Sequence, residues 1–133
     1  MKDTAEVYFR LKGYFNPEEI IKQINLNPTD ILNTGFLTPT KLPNESFWVY
    51  GTGRIINDCL DIGELSMTLI NDLKPYLNEL KELIEQFKLT PCLKVILSLS
   101  MQNSSTPTIG FDKEVLNFLA SLDASIEQDI YKN

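Results

Sequence analysis

The segment AEVYFRLK alternates apolar Ala5, Val7, Phe9 and Leu11 with Glu6, Tyr8, Arg10 and Lys12. Successive strand side chains point to opposite faces, so this period of two predicts a strand buried on one face only. CLKVILSLSM repeats the pattern, with Leu93, Val95, Leu97, Leu99 and Met101 set against Lys94, Ile96, Ser98 and Ser100. In SIEQDIY, Ile126 and Ile130 point one way and Glu127, Asp129 and Tyr131 the other. Strands with one apolar face need helices on that face alone. The expected fold is therefore α+β, a two-layer sandwich with a mostly antiparallel sheet, ferredoxin-like or related.

The helices announce themselves by caps and stripes. In NPEEIIKQINLNP, Asn16 is a good N-cap, Pro17 suits the first helical position, and Glu18 and Glu19 lie at the positive end of the helix dipole. Ile20, Ile21 and Ile24 form the expected buried stripe, Leu26 follows them inward, and the step Asn27-Pro28 is the expected stop. From Leu65 to Phe87 the positions Leu69, Leu73, Tyr76, Leu80, Leu83 and Phe87 recur at spacings of four and three. Pro75 interrupts that stripe, which predicts a kink or two helical segments. Asp61 or Asp58 caps its start, and Asp112 caps a last helix with the stripe Val115, Phe118, Leu119 and Leu122.

Between these elements, SFWVYGTG reads as a strand in which Phe47 and Val49 share one face and Trp48 and Tyr50 the other, either of which can face the core. Residues 29–45 read as a long connection with at most one short extended piece, and residues 108–111 as a short returning strand. One domain over residues 1–133 is expected, since a chain of this length can bury about two thirds of the surface it exposes when unfolded.

Several of these fragments together resemble a family of small bacterial proteins described only as a domain of unknown function. They are FNPEEI after the first strand, NPT after the first helix, the tryptophan strand, the leucine-rich helix broken at LKP, and the closing LDASIEQDIY. The resemblance runs along nearly the whole chain and implies a fold and a bacterial origin. It carries no catalytic or binding residue.

The chain contains no histidine. That removes Ser-His-Asp and Cys-His nucleophile pairs, histidine bases and the commonest zinc and iron ligand sets. Cys59 and Cys92 lack metal-ligand spacing and read as free thiols. The sequence GTGR at residues 51–54 lacks the spacing of a phosphate loop, and Asp58, Asp61 and Glu64 lack that of a calcium loop. No catalytic, cofactor-binding or metal-binding residue is predicted, and no cofactor. The net charge of −6 disfavours nucleic acid and anionic lipid surfaces. No apolar run is long enough to span a membrane. The alternating start MKDTAEVYFRLKG is unlike a targeting peptide, so the expected location is cytoplasmic, and the sequons at Asn44 and Asn103 read as chance matches.

What remains is a surface. An open sheet face should display Tyr8, Arg10, Ile96, Ser98, Glu127, Asp129 and Tyr131, together with Trp48 and Tyr50 or their neighbours. Aromatic side chains mixed with charge are what protein interfaces enrich. Covering of that face by residues 29–45 or by a second copy is the competing expectation. Two functions follow. The first is a non-enzymatic binding module, of the immunity type, for a cationic protein partner; a homodimer is compatible with it. The alternative is a small-molecule-binding protein or weak enzyme using carboxylates or tyrosines in a cleft.

Overall fold

The structure is a computed structural model that describes residues 2–33, 45–57, 60–101 and 107–132. Its elements are β1 (Asp3–Gly13), α1 (Pro17–Gln23), β2 (Asp30–Asn33), β3 (Ser46–Gly51), β4 (Ile55–Asn57), α2 (Ile62–Leu73), α3 (Leu77–Phe87), β5 (Thr90–Leu99), α4 (Lys113–Ser121) and β6 (Ser125–Lys132). One sheet has the order β2-β3-β1-β5-β6, and β4 pairs with β1 beyond the end of β3. All pairings are antiparallel except β5–β6.

The expected two-layer α+β sandwich is what forms. Within that class the parallel pair is distinctive. β5 and β6 are direct neighbours joined through α4, whereas the split βαβ of the ferredoxin-like pattern inserts a strand between its parallel pair.

The alternation in β1 and β5 accounts for the layering. Val7, Phe9 and Leu11 are fully buried, their cross-strand partners Val95 and Leu93 on β5 are too, and Leu97 opposite Ala5 joins them. These side chains form one cluster with Ile62, Leu69, Ile70 and Leu73 of α2, Leu80 and Leu83 of α3, and Val115, Phe118 and Leu119 of α4. The rings of Phe9 and Phe118 meet edge to face at 6.4 Å.

Pro75 divides the leucine stripe as its chemistry requires. A 3-10 turn, Lys74–Tyr76, separates α2 from α3 because proline has no amide to donate and crowds the preceding turn. Asp61 caps α2, its Oδ1 accepting from the Glu64 amide at 3.1 Å. Asn16 caps α1, accepting from the Glu18 amide at 3.2 Å. Asp112 does the same for α4. No helix among the described residues is long and apolar enough to cross a membrane.

Four local expectations are corrected. Ile21 is 42 % exposed, because a helix as short as α1 turns only Ile20 to the core, while Ile24 is buried from the extended residue that follows. That helix therefore ends before Asn27-Pro28. Residues 108–111 form no strand: the Thr108 amide donates to the Leu60 carbonyl, and the Ile62 amide to the Thr108 carbonyl, in a lone bridge with Asp61. Met101 lies beyond the end of β5 and is 70 % exposed. Asp58, Cys59, Asn44, Asn103 and residues 34–44 and 102–106 lie outside the described residues.

Candidate functional site

The second face of β1 carries the site. Side chains at Thr4, Glu6, Tyr8, Arg10 and Lys12 are half-buried, with no helix of the described structure packed over them. Antiparallel register sets Val49 opposite Arg10 and Phe47 opposite Lys12, while Ile96 and Lys94 of β5 face Glu6 and Tyr8. Parallel register then adds Glu127 beside Lys94, Asp129 beside Ile96 and Tyr131 beside Ser98.

These strands enclose a depression of about 650 Å³ whose lining includes Glu6, Tyr8, Arg10, Phe47, Val49 and Ile96, together with Thr29. Its far wall is the break between β3 and β4. There the Thr52 amide donates to the Val7 carbonyl at 2.9 Å, and the Val7 amide donates to Thr52 Oγ1 at 3.2 Å, so a side chain continues the ladder that the strand leaves. Gly51 makes the close approach possible: a Cβ there would lie 2.6 Å from Tyr8 Cβ and 3.0 Å from the Val7 carbonyl oxygen.

The floor's cations are engaged. Lys94 Nζ lies 2.9 Å from Asp129 and 3.3 Å from Glu127, and Arg10 reaches Glu127 at 3.5 Å while its guanidinium stands 5.6 Å over the Phe47 ring. The hydrogen bond to Asp129 raises the Lys94 ammonium above its ordinary value, against the opposing effect of burial. The hydrogen bond from Lys94 holds the Glu127 carboxyl below its ordinary value. Burial pushes the Tyr8 phenol up, partly offset by the charges of Arg10 and Lys94. Glu6 differs from the other acids of this face: among the described residues no cation lies within ion-pair distance of it. The arrangement is thus an amphipathic surface on which, among the described residues, the Glu6 carboxylate has no cation beside it.

Of the predicted face residues, Tyr8, Arg10 and Ile96 line the depression, Glu127 and Asp129 form the ion network beside it, and Ser98 and Tyr131 pair at the far end. Trp48 and Tyr50 are not on this face. Register sets them opposite Leu11 and Phe9, on the helix side. Trp48 is fully buried there, and the Tyr50 hydroxyl donates to Asp72 of α2 at 3.0 Å. Burial, and then that hydrogen bond, push the Tyr50 phenol up. Their neighbours Phe47 and Val49 occupy the open face instead.

Glu6 and Lys94 belong to the site by the same alternation that selected Tyr8 and Arg10, so their membership was legible. Thr29, Thr52 and Gly53 had no such signal, since only the folding of β2, β3 and β4 against β1 brings them there. Cys92 stands opposite Arg10, fully buried.

Comparison with curated proteins and with solved structures finds no match. A family profile covers residues 3–133, which include every strand and helix of the sandwich and every residue of the open face. The chain accordingly belongs to the family described as domain of unknown function DUF4279.

Proposed function

We propose that the chain is a non-enzymatic binding module whose open sheet face takes a partner protein that presents a basic side chain. The observation that carries this reading is the depression itself: a lining of aromatic and aliphatic side chains that includes Glu6, a carboxylate without a cation within ion-pair distance among the described residues. Half-exposed aromatic side chains next to charge match the composition of recognition surfaces. The net charge of −6 steers a cationic partner toward the molecule. Size and charge together fit an immunity-type protein that neutralises such a partner in the bacterial cytoplasm.

The test is affinity capture at low salt from cells of the source organism, with the natural chain, Val49→Asp and Glu6→Gln in parallel. A specific basic partner should bind the natural chain, bind Glu6→Gln more weakly and be lost with Val49→Asp, while all three proteins unfold at similar temperatures. Equal capture by all three, or no specific capture, would overturn the reading.

The volume of about 650 Å³ favours one second reading, because it falls within the range of small-molecule sites. On that reading the chain is a small-molecule-binding protein or weak enzyme using Glu6 and Tyr8. It predicts a thermal shift with a small metabolite that disappears in Tyr8→Phe, and no protein partner in the capture experiment.

A further inference from the structure

β6 is the last strand of the sheet, and among the described residues no strand pairs with its outer edge. Unpaired strand edges invite pairing with another chain, and soluble proteins blunt them with proline, bulges or charged side chains. β6 contains no proline and its register with β5 is unbroken from Ser125 to Lys132; of its charges, Glu127 and Asp129 are drawn to Lys94 of β5, and Lys132 stands at the end. Ile130 is 50 % exposed and Tyr131 55 % exposed. The crossover helix α4 does not shield them, because it packs inward, with Phe118 against Phe9 and Ile126 at its margin.

We propose that β6 pairs antiparallel with β6 of a second copy about a two-fold axis at Ile130, which continues the sheet across a homodimer. The register follows from the side chains. A two-fold axis perpendicular to a continuous sheet preserves its faces, so each residue must oppose one from its own face. Centring on Gln128 sets Glu127 against the partner's Asp129, and centring on Asp129 sets that carboxylate against its own copy. Like charges directly opposite one another are unfavourable. Centring on Tyr131 opposes Ile130 to Lys132 and leaves less of the strand to pair.

Centring on Ile130 avoids all of these conflicts. Ile130 meets its copy on the helix side, Gln128 meets the partner's Lys132, and Asp129 meets the partner's Tyr131 on the open side. The apolar side chain that the monomer leaves half in water is then covered by itself. Both open faces also end on the same side of the continuous sheet, so a partner with two docking segments would engage both, a consequence that rests on the binding function proposed above.

Sedimentation velocity over a concentration series is the first test. The mass should rise from the 15.2 kDa of one chain to twice that value. Ile130→Lys places two ammonium groups against each other at the axis and should hold the protein at the single-chain mass, with the unfolding temperature that the natural chain has at dilutions where it is a single chain. Disulfide trapping in a Cys59→Ser background fixes the register. Directly opposed residues have Cα atoms about 4.5–5.5 Å apart, within reach of a disulfide. Ile130→Cys should therefore cross-link rapidly under mild oxidation, while Gln128→Cys, which opposes Lys132, should not. A single-chain mass at every concentration, a dimer undisturbed by Ile130→Lys, or equal cross-linking at the two positions would overturn the proposal.

Discussion

On the helix side of β1, Ala5, Val7, Phe9 and Leu11 are at most 1 % exposed, whereas one residue out of phase Glu6, Tyr8, Arg10 and Lys12 stand half-buried with no helix of the described residues above them. The two faces also treat carboxylates differently. Asp3, 2 % exposed on the helix side, accepts a hydrogen bond from the Ser100 amide at 2.8 Å. Glu127 and Asp129 on the open side are held by Lys94 and remain 48 % and 43 % exposed. The buried face is thus organised by volume and by backbone donors, and the open face by charge pairs that water screens. Stability should reside in the first and recognition in the second.

The largest effects expected from substitution fall on the helix side. Trp48→Ala should cost about 3–5 kcal/mol and Leu97→Ala about 2–5 kcal/mol, read by chemical denaturation, because each leaves a cavity among side chains that are fully buried. The open-side neighbour Phe47→Ala should cost much less. A loss as large as that of Trp48→Ala would break the comparison and indicate a second packed layer over the open face.

Asp3→Ala should cost about 1–3 kcal/mol, since it removes the carboxylate that accepts from the buried Ser100 amide, while Asp3→Asn, which keeps an acceptor, should recover part of that loss. Asn16→Ala removes the α1 cap and should cost about 1 kcal/mol without changing partner capture. A loss of capture at unchanged stability would move the binding site to that turn.

The smallest effect belongs to the ion network. Glu127→Gln should cost about 0.2–1 kcal/mol, because its carboxylate is half in water. Its sign with pH follows from the shift. Glu127 has its folded-state value lowered from 4.5, so its contribution is present above that value and is lost as the pH falls through the lower folded one. Lys94 is raised from 10.5, so its contribution is present below that value and is lost as the pH rises through the higher folded one. Denaturation midpoints of the natural chain and Glu127→Gln should therefore differ near neutral pH and converge in acid. A constant difference down to acid pH would show that the network contributes nothing through charge.

Much of this was legible in the residues. The period of two in β1 and β5, the caps at Asn16, Asp61 and Asp112, and the division at Pro75 are local properties of backbone and side chain, and each appears in the structure. Ile21 and the end of α1 were misread because the local pattern continues past the point where the sheet needs covering. The strand of Trp48 was undecidable for a different reason: both of its faces are apolar, so alternation offered no sign of which one the core would take.

What the sequence determined by itself was a sheet with one face to bury and helices to bury it, a chain without histidine, and a second face bearing Tyr8, Arg10, Ile96 and Glu127. Tertiary structure alone decided that β3 lies beside β1 in the register that turns Trp48 inward and Phe47 and Val49 outward. It alone also brought Thr29 and Thr52 to the depression, joined β6 parallel to β5, and left the edge at Ile130 exposed. The physical reason is one of range. Alternation, capping and proline chemistry act within a few residues, whereas register and strand order are set by the packing of side chains far apart in the chain.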